Sequence, residues 1–118
     1  AQDLEKQGIR CQLEMIGLEE KTLNPTQSVN IYRIIQELTN NVVKHAKADH
    51  LLLQLIHRDD ILTIIAEDNG KGFDVKKAMT QKGLGLSSIE SRVKFLQGTI
   101  EWDSVPGEGT VVSIQLFD

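Results

Sequence analysis

The spacing of apolar and polar positions changes several times along the chain, and each change marks an element. Ile9, Cys11, Leu13 and Met15 alternate with Arg10, Gln12 and Glu14. That period of two predicts a half-buried strand, because successive strand side chains point to opposite faces. The preceding Ala1 to Gln7 read as the frayed end of a helix. Asn24 followed by Pro25 makes a helix start, since the missing proline N–H costs nothing in a first turn. Ile31, Ile34, Ile35, Leu38 and Val42 then recur with helical spacing and predict a helix running to about His45. Two apolar runs, Leu51 to Ile56 and Ile61 to Ala66, lie around Arg58, Asp59 and Asp60 and predict a central hairpin buried on much of both faces. Leu86, Ile89, Val93 and Leu96 predict a second helix that follows Gly85 and stops at Gly98. Ile100 and Trp102, then Val112, Ile114 and Leu116, flank the turn-rich Pro106 to Gly109 and predict a closing hairpin. The sum is an α/β protein, a two-layer sandwich with a mixed sheet of about five strands and helices on one face.

Composition narrows the setting. The 118 residues and 13.2 kDa suit one domain spanning residues 1–118, with no repeat, low-complexity tract or linker to divide it. A hydrophobic fraction of 40%, a charged fraction of 25% and a mean hydropathy of −0.22 suffice for a core and are too polar for a membrane protein. No run approaches the roughly 20 apolar residues of a spanning helix, so no membrane contact is expected of this domain. The net charge of −4 and pI near 5.3 argue against a nucleic-acid-binding surface and leave room for a local basic site for a phosphorylated small molecule. The single Cys11 cannot form an internal disulfide and no signal-peptide pattern opens the chain, so a cytoplasmic setting is expected.

Glycines are absent from Gln27 to Asn69 and crowd the later chain at Gly70, Gly72, Gly83, Gly85, Gly98, Gly107 and Gly109. Three polar clusters accompany this change. Glu37, Asn41 and Lys44 fall on one stripe of the first helix, with His45 next to it. A carboxylate, an amide oxygen and an ammonium so placed suit hydrated magnesium and its phosphates; they equally suit the solvated face of an amphipathic helix. Asp68-Asn69-Gly70-Lys71-Gly72-Phe73 follows an apolar run directly. It puts a carboxylate at the floor of a cleft walled by bare backbone, or else makes a tight Asn-Gly turn. Gly83-Leu84-Gly85-Leu86 opens a helix whose free N–H groups and dipole favour an anion, without matching the dinucleotide or lysine-bearing phosphate loops. Gly107-Glu108-Gly109-Thr110 reads as a hairpin turn with a ligand contact open to Thr110.

The order of these four segments resembles the ATP-binding catalytic domain of bacterial two-component sensor histidine kinases, in the gyrase-like ATPase superfamily. Residues 34–46, Ile-Ile-Gln-Glu-Leu-Thr-Asn-Asn-Val-Val-Lys-His-Ala, look like that family's asparagine box, and the Lys-His-Ala ending is similar to its nitrate-sensor and lipid-thermosensor branch. Asp68 to Phe73 resembles the first glycine box, Gly83 to Leu86 the second, and Gly107 to Thr110 the terminal glycine-threonine turn. The resemblance implies a Bergerat-type ATP-binding fold with ATP and Mg2+ as cofactors. It further implies that Asn41 is the magnesium ligand, that Asp68 accepts from the adenine amino group, and that Thr110 supports the adenine through water. Lys44, beside His45, would meet phosphate oxygens; Gly70 and Gly72 would line the base, and Gly83, Leu84, Gly85 and Leu86 the triphosphate. Glu37 matches the acidic position that polarises the attacking nucleophile. Asp74 to Lys82 would form a short mobile lid, without the second phenylalanine-bearing box of many kinases.

Such a kinase phosphorylates a histidine on a dimerisation segment that has no counterpart before Ile9. His45 lies in the nucleotide helix, and His50 and His57 read as ordinary surface histidines. The chain is therefore expected to be a catalytic domain without its phosphoacceptor. Its expected partners are that dimerisation domain and a response regulator, within a membrane-anchored sensor whose catalytic part is cytoplasmic. Two other readings remain: a stand-alone relative acting as an anti-sigma serine kinase or hydrolytic ATPase, and a degenerate binding module. The intact Glu37, Asn41, Asp68 and glycines speak against the last.

Overall fold

The computed structural model describes residues 8–17, 25–43, 49–72 and 86–117. The expected helical end over Ala1 to Gln7, Lys44 and His45, the lid from Asp74 to Lys82, and Gly83 to Gly85 lie outside these residues. Within them run β1 (Arg10–Ile16), α1 (Pro25–Asn41), β2 (His50–Arg58), β3 (Ile61–Asp68), α2 (Leu86–Phe95), β4 (Thr99–Ser104) and β5 (Thr110–Phe117). The five strands form one sheet in the order β1-β2-β3-β5-β4. Only β1 and β2 are parallel, which requires a crossover, and α1 lies in that connection. All other pairs are antiparallel, so the sheet is mixed as expected.

Alternation along each strand is brought into phase by the register. Leu55, Ile64, Ile114 and Ile100 succeed one another across β2, β3, β5 and β4 on one face. Onto that face pack Ile31, Ile34 and Leu38 from α1, Val42 just after it, and Ile89 and Val93 from α2, in a single core. Ile34, Leu51, Ile64, Ile89 and Ile114 are wholly buried. Each such side chain contributes about 1.5–3 kcal/mol relative to leaving it in water.

Three expectations need correction. The β2–β3 hairpin is buried on one face only: Leu52, Ile56 and Ile65, on the side away from α1 and α2, are half-buried. Ile9, just before β1, and Cys11 within it reach the core, but Leu13 and Met15 are 53% and 62% exposed. β1 is an edge strand with a neighbour on one side, so alternation there does not guarantee cover. The regular part of α1 ends at Asn41 and passes into a wider π-type turn through Val42 and Val43, and the expected helix end near His45 lies outside the described residues. Finally, α2 is stopped by Gln97 and not by Gly98. Gln97 takes the left-handed conformation (φ 59°), donating to the Lys94 carbonyl at 2.9 Å, while Gly98 donates to the Val93 carbonyl at 2.9 Å. This is a Schellman closure with a non-glycine residue at its strained position. Gly98 is needed for space, because a Cβ there would lie 2.5 Å from Leu116 Cδ2 and 2.6 Å from the Gln115 carbonyl oxygen.

Candidate functional site

Strand polarity gathers the candidate residues at one end of the sheet. Asp68 closes β3, Thr110 opens β5 and Ser104 closes β4, and the register pairs Asp68 with Thr110 and Thr110 with Ser104. All three share the face that bears the helices, being in phase with Ala66, Val112 and Trp102. α2 runs from this end toward the other. Its Glu90 accepts from Trp102 Nε1 at 2.9 Å, two residues from Ser104, and its exit at Gly98 lies against Gln115 and Leu116 at the far end. The buried Leu86, first residue of α2, therefore lies on the Asp68–Thr110 side.

Asp68 is half-buried and its Oδ1 accepts from the Gly70 N–H at 2.8 Å. Burial pushes its carboxyl above the ordinary carboxylate range; the Gly70 bond works against this, and the neighbouring Glu67 charge adds slightly to the rise. Thr110 is 7% exposed, with its Oγ1 2.8 Å from Ser104 Oγ. Two loops frame the pair. Asn69 Oδ1 accepts from the backbone N–H groups of Asp49 (3.1 Å) and His50 (3.0 Å), clamping the strand end to the start of β2. The Gly107 N–H donates to the Lys71 carbonyl, joining the loop after β3 to the β4–β5 turn.

Gly72 and Gly109 pack the two loops of this junction against each other. At Gly72 (φ 66°) a Cβ would lie 2.1 Å from the Val105 carbonyl oxygen, and at Gly109 (φ 83°) one would lie 2.5 Å from that of Asp68. Backbone meets backbone there, so any side chain would push the two loops apart. Gly70 is buried beside Asp68.

On α1, Glu37 and Asn41 are both half-buried, one turn apart, flanking the core residues Leu38 and Val42. They lie beyond Asn30, whose Oδ1 accepts from Arg92 Nη1 of α2 at 3.3 Å. Lys44, His45, Gly83, Leu84 and Gly85 belong to the segments outside the described residues. The structure thus brings Asp68, Thr110 and Leu86 to one end of the fold and puts Glu37 and Asn41 on one face of α1. Sequence reasoning missed Asn69 as a clamp and Ser104 altogether; the only signal for Ser104 was its period-two phase with Trp102 and Ile100. A separate groove of about 710 Å³, lined by Val29, Asn30, Arg92 and Phe95 among others, opens between α1 and α2. Among the described residues no carboxylate lines it.

A half-buried carboxylate at a strand end, paired across the sheet with a buried hydroxyl, can receive the donor edge of a flat heterocycle. Glu37 and Asn41 offer oxygen atoms of the kind magnesium prefers. Among the described residues no group of three or more His, Cys, Asp or Glu could hold a metal alone, so an ion bound here would complete its shell with phosphate oxygens and water.

Known proteins resemble this chain in sequence and in fold. Residues 26–118 match the family described as histidine kinase-, DNA gyrase B-, and HSP90-like ATPase. The signal transduction histidine-protein kinase/phosphatase DegS of Bacillus subtilis is 32% identical over 92% of this chain and 29% of its own length. The kinase/phosphatase UhpB of Salmonella typhimurium is 36% identical over 97% of this chain and 22% of its own. The chain thus spans less than a third of either relative. In fold it is similar to the histidine kinase domain of the Erythrobacter litoralis EL346 blue-light activated kinase, with a TM-score of 0.77 and 20% identity over 92% of this chain and 51% of that one. With residues 26–118 matched by the family model, the chain belongs to the histidine kinase-, DNA gyrase B- and HSP90-like ATPase family.

Proposed function

We propose that this chain is the MgATP-binding catalytic domain of a sensor histidine kinase, which passes the γ-phosphoryl group to a histidine on a separate dimerisation segment. The observation that carries the reading is the half-buried Asp68 carboxylate paired across the sheet with buried Thr110, within a chain whose family binds ATP. Asp68 receives the adenine amino group, Thr110 supports it through water, and Gly70 and Gly72 shape the loop around the base. Asn41 ligates magnesium, which when bound neutralises phosphate charge. Lys44 and His45 meet phosphate oxygens, and Gly83, Leu84, Gly85 and Leu86 line the triphosphate at the start of α2. Glu37 accepts the proton of the attacking imidazole. Positioning and charge neutralisation then supply most of the rate, as expected for phosphoryl transfer. The names of DegS and UhpB support a histidine acceptor over the serine-kinase or purely hydrolytic alternative. The same reading makes the domain a single unit, places it in the cytoplasm, and gives it a response regulator as downstream partner.

Labelling with γ-labelled MgATP tests this. The chain alone is expected to gain no acid-labile label, and a histidine-bearing two-helix segment of the same protein, added in trans, is expected to gain it. Transfer is expected to be slow, because a tether normally supplies roughly millimolar effective concentration. Stable label on His45, His50 or His57 would contradict the proposal.

A further inference from the structure

Asn69 directly follows Asp68 and has no part in the reading above. The register pairs Leu51 with Asp68, and backbone pairing stops before it reaches His50 and Asn69. The Asn69 side chain takes over at that point. Its Oδ1 accepts from the N–H groups of both Asp49 and His50, and its Nδ2 donates to Asp49 Oδ1. The partners settle which way the amide points, because backbone N–H groups only donate and a carboxylate oxygen accepts. The Asp49 carbonyl accepts in turn from the Arg10 N–H at 2.8 Å, which anchors the clamp to the start of β1. With pairing handed to a side chain, the main chain turns at once, and the Gly70 N–H comes back onto Asp68 Oδ1 at 2.8 Å. This Asx turn fixes how the carboxylate is presented. The far side of the same loop is held where the Gly107 N–H meets the Lys71 carbonyl.

We infer that Asn69, through its reciprocal pairing with Asp49, is a positioning residue that holds the Asp68 carboxylate in register with the amino group of the base. The inference rests on the assignment of Asp68 to the adenine. A hydrogen bond from an amino group to a carboxylate is strong only over a narrow range of distance and angle, so a turn that drifts loses it first. An oxo group at the same position has no such bond to lose, and a fixed carboxylate repels it. Loosening the turn therefore costs ATP more than a nucleotide with an oxo base. Asn69 and Asp49 are both exposed, so water can take up the two N–H groups when the amide is removed, and the fold is expected to survive.

The test is calorimetric titration of the chain with MgATP and with magnesium inosine triphosphate, whose base carries an oxo group where adenine has its amino group. The parent is expected to prefer ATP. In Asn69→Ala that preference is expected to fall about threefold to tenfold, the size of one neutral hydrogen bond. Asn69→Asp sets a second carboxylate against Asp49 and is expected to lose at least as much. Adding Asp49→Asn to it exchanges the two groups. A carboxylate at position 69 still accepts from both N–H groups, and an amide at position 49 donates back to it. The double variant is therefore expected to regain most of the parent preference. A role in folding alone would weaken both nucleotides together and leave the preference unchanged. An unchanged preference in Asn69→Ala, or a double variant no better than Asn69→Asp, would overturn the role of Asn69; ATP affinity lost in Asp68→Ala would then leave the nucleotide reading intact. A parent that binds neither nucleotide, or an Asp68→Ala variant that binds ATP as the parent does, would remove both.

Discussion

Asp68 shows a conflict between stability and function. Its carboxyl titrates above the ordinary range because burial disfavours the charged form. Between its ordinary pKa near 4 and the raised native value, the folded chain binds more protons than the unfolded one, so stability falls as pH rises through that window. Asp68→Asn has no charge to desolvate and can still accept from Gly70. It is expected to melt above the parent at pH 7, with the difference shrinking as pH falls toward 4 in thermal scans. Nucleotide binding should respond in the opposite sense. The ionised carboxylate is the stronger acceptor, so parent ATP affinity should drop as pH falls through the raised pKa, while Asp68→Asn binds weakly at every pH. Glu37 gives a different signature, since its proposed work is on the attacking imidazole. Glu37→Gln is expected to slow labelling of the phosphoacceptor on the order of a hundredfold while ATP affinity stays within about twofold. Equal losses in both would assign Glu37 to nucleotide binding instead.

The closure of α2 is the clearest element to test. Gln97 holds a left-handed conformation that costs a side-chain-bearing residue about 1 kcal/mol, so Gln97→Gly is expected to raise the melting temperature by roughly 3–6 °C. Gly98→Ala should destabilise, because its Cβ would collide with Leu116 and the Gln115 carbonyl. A stabilised Gly98→Ala would refute this division of labour. The same element shows what a sequence can and cannot disclose. Helical spacing located Leu86, Ile89 and Val93 in the core, since a period is set by burial along one element. It could not tell which residue at the exit turns left-handed, because that depends on how closely Gly98 approaches β5. The strands divide the same way. Two apolar runs placed β2 and β3 and alternation placed β5, yet the exposure of Leu13 and Met15 follows from the edge position of β1, which only strand order reveals. In the site, Asp68 and Thr110 were legible from the motifs around them. Asn69 and Ser104 were not, since each acts through a partner distant in sequence or across a strand pair.

Across the whole molecule, one hydrophobic core fixes the sheet and both helices, and the proposed nucleotide site sits at one end of it. Strand ends, two backbone-packed loops and the start of α2 meet there, which is where a sheet stops providing its own hydrogen-bond partners. The net charge of −4 adds no general attraction for a polyanion, so binding of a triphosphate has to come from local groups. Affinity should therefore depend sharply on single residues of the site. Calorimetric titration of the chain with MgATP, beside Asp68→Ala, tests this most directly. A saturable one-site isotherm is expected for the parent, weakened at least about tenfold in the variant, which loses a charge-assisted hydrogen bond of roughly 1.5–3 kcal/mol. No binding by the parent, or equal affinity in the two proteins, would contradict the account.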